Sequence, residues 1–512
     1  MTATAHAQRT GAATSSPALG PLVVSQVNPR YFTVAQGHAG AGRAVYLTGS
    51  HIWNNLHDGM GPGAACAATP ERFDYKAYLS FLNERGHNFI RLWRWEQFKS
   101  QAAGGSYHLC MAPQPWQRTG PGMAKDGKPK FDLSKFDQTF FDRLRERVIA
   151  AGNAGIYVAV MLFDGWALHL SPPPDHVEGH PFFAANNVNG VGINSIVDYQ
   201  ALPLDKRVRE LQEAYIKKVV DTVQDLPNVI YEVANESSGG GTIGKEFAEM
   251  LGFKEVPNWG NSTEWQYWVI DVLKNYEREK RYVAHPIGIT MQFPVADQTK
   301  VNDPLYLSRA DWISPGYDDE IFRGGGHPMA PGSPPSRWYD SPPAADGKKV
   351  VISDTDHYAP GKGDALWAWK SFLRGHHPIL MDFGIIDVVH PLDQSLGIPP
   401  YELYEPARHA MGDTRRYADR MSLIHVTPRG DLASTGYALV NPGSEYLVLQ
   451  PSESGESFAV TLEAGSYEVE WFNINSRTTV KAPVLANVPG GSQRFSPPGA
   501  GSSWALYLEL SS

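Results

Sequence analysis

Over most of its length the chain alternates short aliphatic, β-branched runs with longer stretches whose apolar positions recur every three or four residues. The short runs occupy residues 44–48, 88–93, 157–163, 229–233, 287–291, 312–314, 350–353 and 379–381. Between them, residues 73–85, 137–151, 205–224, 263–281 and 364–373 carry helical spacing. Eight strand runs interleaved with helices predict an α/β fold with a closed parallel sheet, the (β/α)8 TIM barrel. After residue 406 the period changes. Residues 407–423 read as one more helix, and from 433 onward strict alternation takes over in TGYALVNPG, YLVLQPS, FAVTLEAG, YEVEWFNINS and SWALYLEL, separated by Gly, Pro, Ser and Asn. This predicts a C-terminal antiparallel β-sandwich. The expected organisation is therefore a disordered lead-in at 1–21, a barrel at 22–423 and a sandwich at 424–512. The proline-rich stretch 329–343 reads as a long loop after the sixth strand.

Composition narrows the function classes. The 42% apolar share, with 14 Trp, 23 Tyr and 21 Phe, can fill a large core and still leave aromatic rings for a binding cleft. A net charge of -9 argues against nucleic acid, whose phosphates require a basic footprint. No apolar run reaches the roughly 18 residues of a membrane span. The N-terminus lacks the apolar core of a secretory signal, so a cytoplasmic location is expected, with secretion the alternative if a signal was removed. Cys66 and Cys110 are too few for a disulfide framework or a zinc site; two free buried thiols are expected, with a bridge between loops above the barrel as the alternative.

The strongest chemical signal is NVIYEVANES, an apolar strand that delivers Asn235 and Glu236 side by side at its C-terminal end, where barrel chemistry sits. A carboxyl there suits a general acid, and the adjacent amide suits a sugar hydroxyl. Other strand ends supply the mixture that a monosaccharide pocket needs: His51, Trp53 and Asn54 after the first, Asp164 and Trp166 after the third, Gln292 after the fifth, Asp382 after the eighth. Carboxylates grip hydroxyls while an indole covers the apolar face of a sugar ring, although either tryptophan equally suits the core. Glu96 either binds hydroxyls or pairs with Arg94, and the strand-seven segment KKVVISDTDH offers Asp354, Asp356 and His357. Trp367 and Trp369 fall on a helix and are read as packing.

Asn-Glu at the end of strand four makes residues 22–416 resemble clan A of the glycoside hydrolases, retaining TIM-barrel glycosidases. The motifs NPRYF, YLTGSHIWNN, RLWRWE, HPFFAANNVNG, ISDTDH and WKSFLRGHHPILMD resemble more closely a bacterial group of barrels joined to a domain named as the collagen-binding domain of a collagenase. The resemblance implies Glu236 as acid/base, Asp354 as nucleophile at the strand-seven position, and Arg91 as the arginine that hydrogen-bonds the nucleophile. Clan members carry Glu where this chain has Asp354, so Asp356, or an inverting arrangement, stays open beside it. No cofactor or metal is expected; the partner is an oligosaccharide or glycoside, by analogy an arabinoside or related pentoside. Loops at 59–70, 169–194 and 317–346 suggest a pocket and action at a chain end. Transglycosylation by the same residues, a metal-dependent hydrolase using His51, Asp354, Asp356 and His357, and a non-catalytic carbohydrate- or matrix-binding protein are the alternatives.

Overall fold

In the computed structural model the described residues are 17–511, apart from 60, 63–65, 67–71, 102–106, 171–174, 251–252, 256–257, 325, 329–331, 359–362 and 386–400. Eight parallel strands form the central sheet: β1 (Gly49–His51), β2 (Phe89–Leu92), β3 (Tyr157–Asp164), β4 (Val229–Asn235), β5 (Ile287–Thr290), β6 (Trp312–Ser314), β7 (Val350–Asp354) and β8 (His377–Met381). They are hydrogen-bonded in the order β1-β8-β7-β6-β5-β4-β3-β2. The barrel is thus complete except at the β1/β2 seam, which has no ladder pairing. One main-chain bond, Asn88 N to Thr48 O at 2.9 Å, and several side chains stitch it instead. Asn88 Oδ1 accepts from Thr48 N at 3.0 Å, His87 Nδ1 accepts from Ser50 N at 3.2 Å, and Tyr78 donates to Ser50 O at 2.7 Å. Gly49 permits the approach, since a Cβ there would lie 2.2 Å from the Phe89 carbonyl oxygen.

The first strand corrects the sequence reading. Ala44–Val45 pairs antiparallel with Phe32–Val34, itself paired with Leu22–Val24, and the barrel strand starts only at Gly49. This three-stranded sheet plugs the barrel floor: Leu22, Phe32, Val34 and Val45 pack with the interior residues Phe89, Ala159, Ile230, Trp312 and Ile352. Residues 1–16 of the expected disordered lead-in lie outside the described residues. Ala18 and Gly20 are docked, Ala18 N donating to Gly152 O at 2.9 Å and Gly20 O accepting from Tyr157 at 3.2 Å.

Four outer helices begin where an aspartate caps them: Asp74 before Tyr75–Glu84, Asp137 before Gln138–Asn153, Asp205 before Lys206–Val223 and Asp364 before Ala365–Leu373. Each side chain accepts from a first-turn N–H that has no helical partner, worth about 1 kcal/mol apiece. Lys206–Val223 then buries Val208, Tyr215, Ile216, Val219, Val220 and Val223, the face its spacing predicted. Each such side chain contributes roughly 1.5–3 kcal/mol.

The last barrel helix, Glu405–Arg420, leads into a six-stranded antiparallel sheet, Thr427–Pro428, Ala438–Asn441, Glu445–Gln450, Trp504–Leu510, Gly465–Asn473 and Thr479–Val488 in spatial order. A two-stranded ribbon, Phe458–Leu462 with Gly491–Phe495, covers its far face. The near face packs on the barrel, with Tyr417 and Trp369 against Phe472 at 5.8 and 5.5 Å between ring centroids and Tyr417 against Tyr507 at 5.8 Å. Trp369 is packing, as expected. Cys66 and Cys110 form a disulfide, so the expectation of free thiols is overturned. Their loops meet above the barrel with Cα atoms 5.3 Å apart, within reach of a bridge.

Candidate active site

Chain direction brings every candidate acid to one end of the barrel. Asp164 closes β3, Asn235 closes β4 with Glu236 next, and Asp354 closes β7. Glu236 sits in the left-handed backbone region at φ 44°, uncommon for a residue with a side chain. Thr290 at the end of β5 holds that turn, its hydroxyl donating to Ala234 O at 2.8 Å and accepting from Glu236 N at 3.3 Å.

Arg91, fully buried in β2, organises the floor. Nε and Nη2 donate to Glu232 at 2.9 and 2.6 Å, Nη2 also to Asn235 Oδ1 at 2.6 Å, and Nη1 to Asp354 at 2.8 Å. Burial opposes its charge, but Glu232 first and then Asp354 and Asp356 hold the guanidinium protonated. Glu232 was not anticipated from the sequence. An acidic residue in the middle of an otherwise apolar strand was its one signal.

Asp354 is enclosed. Its side chain is 0% exposed, with His51 Nε2 2.7 Å and Arg91 Nη1 2.8 Å from Oδ2, while Oδ1 accepts from Asp356 N at 3.0 Å. Burial alone would raise this carboxyl; His51 and then Arg91 outweigh it and hold it well below the usual carboxylate range. The same capping contact starts a turn, Thr355–His357, that turns Asp356 toward Glu236. Asp356 keeps 18% of its side chain exposed and lies 3.8 Å from Arg91 Nη1. An oxygen of Asp356, an oxygen of Glu236 and a ring nitrogen of His357 lie within 4.8 Å of one another. His357 Nδ1 is fixed by the Ser314 hydroxyl at 3.0 Å, and burial pushes the ring down to about 3, so it is neutral at pH 7.

The two facing carboxyls share their titration. Burial, then Asp356, raise Glu236 well above the carboxylate range. Burial, then the ionised Asp354, raise Asp356 to about 7. Each carboxylate opposes ionisation of the other, so the pair favours holding a proton over carrying two charges. Two carboxylates and an imidazole are equally a donor set that a divalent cation accepts.

The other predicted residues divide. Trp53 and Trp166 stack at 5.9 Å, with Phe383 edge-on to Trp53 at 4.9 Å, forming an aromatic wall of half-buried indoles. Asp164 is buried, and burial with Glu96 raises its carboxyl well above the usual range; it adds to the field on Glu236. Asn54 is buried in a left-handed turn at φ 56°. Three of the predicted residues are held by the surrounding scaffold, Glu96 with the Arg94 pairing that the sequence offered as its alternative. Glu96 accepts from Asp164 N at 2.8 Å and Tyr199 at 2.7 Å and pairs with His180 and Arg94 at 3.2 and 3.4 Å. Asp382 is held through both oxygens by Arg408 at 2.6 and 2.7 Å. Gln292 donates to Ser262 and Thr263 at 3.1 and 2.9 Å.

A domain family of unknown function, DUF6298, matches residues 110–270. No curated protein sequence matches the chain. Among solved structures, one described as a glycoside hydrolase is 14% identical, with a TM-score of 0.57 over 96% of this chain and 97% of its own. A glycoside hydrolase family 5 structure from Bacteroides vulgatus is also 14% identical, with a TM-score of 0.55 over 96% and 94%. Both likenesses span barrel and sandwich together and establish the fold.

Proposed function

We propose that the chain is a glycoside hydrolase that cleaves a terminal glycosidic bond with retention of configuration, Glu236 serving as acid/base and Asp356 as nucleophile. The observation that carries this reading is the approach of the Glu236 and Asp356 oxygens to within 4.8 Å. Retaining enzymes separate their carboxyls by about 5–5.5 Å, inverting ones by about 6.5–9.5 Å. The glycoside hydrolase descriptions of the structural neighbours point the same way. In the first step an oxygen of Asp356 bonds to the anomeric carbon as the bond to the leaving oxygen breaks, and Glu236 gives that oxygen its proton. In the second, Glu236 takes a proton from water, whose oxygen bonds to the anomeric carbon and releases Asp356. Asp354, enclosed by His51 and Arg91, positions the turn instead of attacking.

The aromatic wall of Trp53, Trp166 and Phe383 suits the sugar that carries the reacting carbon, and a pentoside such as an arabinoside is the leading class by resemblance alone. The loops around the barrel mouth favour action at a chain end. The sandwich buries its near face on the barrel and reads as a brace, not as a collagen-binding module. The Cys66–Cys110 bridge favours an oxidising compartment over the cytoplasm. A panel of p-nitrophenyl glycosides, followed by NMR of the first-formed anomer, tests the reading. Turnover with a retained product is expected; an inverted first product overturns the assignment of Asp356.

A further inference from the structure

Between the apolar floor of the barrel and the reacting carboxyls lies an ionic layer. Ile230, Glu232 and Ala234 alternate on one face of β4, and Ile230 packs with Phe89 of β2 in the floor. One strand period further along, Glu232 meets Arg91, and both side chains are 0% exposed. Burying such a pair desolvates two charges, and an apolar pair of similar volume would fill the space as well, so packing alone does not account for it. The hydrogen bonds of the guanidinium do.

A guanidinium carries five N–H donors in one rigid plane. Glu232 takes two of them along the side edge of Arg91, from Nε at 2.9 Å and Nη2 at 2.6 Å. The second Nη2 donor goes to Asn235 Oδ1 at 2.6 Å, and one Nη1 donor goes to Asp354 Oδ2 at 2.8 Å. The fifth is also on Nη1, which lies 3.8 Å from Asp356 Oδ2. That is too far for a hydrogen bond, and a shift of about 1 Å makes one. Trp93 covers a face of the same plane, its ring centroid 4.7 Å from Arg91 Cζ. Arg91 is thus gripped by one edge and one face, and its opposite end serves Asn235 beside the acid and the two aspartates.

Resting on the glycosidase reading above, we propose that Glu232 is a positioning residue: by holding the side edge of Arg91 it keeps the last N–H of the guanidinium for the carboxylate of Asp356. When the bond between Asp356 and the anomeric carbon breaks in the second step, the released carboxylate closes on that N–H. A glutamine of the same shape cannot hold the edge, because its amide sets a donor against a donor at one of the two Arg91 nitrogens. The guanidinium then turns, and Asn235 and Asp356 lose their common reference.

The test is a double-mutant cycle on the full chain with Glu232→Gln, Arg91→Lys and the two combined, read as kcat and KM on the aryl glycoside cleaved fastest. Glu232→Gln should lower kcat by about 10² fold with KM little changed, because a misdirected group costs turnover and removes no contact with substrate. Lysine has no side edge for Glu232 to hold, so the combined variant should be no slower than Arg91→Lys alone. Glu232→Asp keeps the charge on a side chain one methylene shorter and carries the same comparison if glutamine prevents folding. Losses that multiply in the combined variant, or a folded Glu232 variant with the kcat of the wild type, overturn the proposal. A crystal structure of the single variant reads the geometry without turnover: Arg91 should lose its contact with Asn235, and an unmoved guanidinium overturns the proposal as well. A wild type that cleaves none of the aryl glycosides sinks the glycosidase reading alone, and the crystal structure still decides what Glu232 does.

Discussion

The main-chain N–H of Asp356 donates to the carboxylate of Asp354 at 3.0 Å, so the more deeply buried aspartate fixes the direction of the more exposed one. One is an acid held ionised by a histidine and an arginine, the other an acid whose proton is shared across the cleft. Neighbours in sequence, they have different chemistry because one residue of turn separates them.

Substituting the two should give different phenotypes. Asp356→Gly is expected to lose nearly all activity and to recover part of it with azide or formate, which can occupy the vacated carboxylate position and yield an inverted product. Asp354→Gly should also lose activity, since His51 loses its carboxylate and Arg91 one of its partners, but small anions should not restore turnover. Rescue seen only in the Asp354 variant would return the nucleophile to that residue. The measurement is kcat with and without azide, with the product anomer read by NMR.

The pH profile separates the same alternatives. Turnover needs Asp356 ionised and Glu236 protonated, so kcat/KM should fall as pH drops through about 7 and fall again on the alkaline side as Glu236 loses its proton. Asp354→Asn removes the charge that raises Asp356, and the acid limb should shift to lower pH. If the wild-type limb already lies below about pH 4, the range of an ordinary carboxylate, Asp356 is not the ionised group required.

Glu236→Gln should lower turnover of an unactivated glycoside by about 10² to 10⁴ fold, yet stabilise the fold. Because its folded pKa is raised, the carboxyl contributes stability that is fully present below its unfolded value near about 4 and is lost as pH rises toward the folded one. The amide has no such dependence. At pH 8 the variant should therefore melt at a higher temperature than the wild type, and the difference should vanish near pH 4. A lower melting temperature at pH 8 would mean that burial of Glu236 is not costly.

A chelator distinguishes a shared proton from a bound cation at Glu236, Asp356 and His357. On the carboxyl-pair reading, EDTA leaves kcat unchanged, and added Zn²⁺ inhibits by competing for the two oxygens and the imidazole. Loss of activity in EDTA with recovery on adding metal would favour the metal-dependent alternative.

The parts of the molecule that were legible in the sequence are those specified locally. Asp74, Asp137, Asp205 and Asp364 mark helix starts because capping involves only a few neighbouring residues, and Glu236 is visible because strand and acid are adjacent. The pairing of Arg91 with Glu232 joins residues 141 apart and had no local signal beyond a charge in an apolar strand. The first strand was misplaced because the floor strand Ala44–Val45 and the barrel strand Gly49–His51 lie in one apolar run, and only tertiary pairing divides it. Thr479–Val488 was missed for another reason. It is an edge strand with mostly exposed positions, so it carries little alternation. Asp354 carries a signal in the sequence, the strand-seven position that the resemblance marks for the nucleophile, whereas the turn Thr355–His357 that carries Asp356 has none.

The barrel's one unpaired seam lies between the strands that carry His51 and Arg91, the two residues that grip Asp354. Cys66 follows the first of these strands and Cys110 the second, so the disulfide ties the two loops across the break that the backbone ladder leaves. With the cysteines 44 positions apart in sequence, the loop so closed contains all of β2 and its preceding helix, and it removes about 4 kcal/mol of chain entropy from the unfolded state. The molecule behaves as a split ring with a covalent clasp at its mouth: strand ladders span the other seven joints, and at the eighth a few hydrogen bonds and a sulfur bridge above the rim keep the histidine and the arginine closing on the same carboxylate.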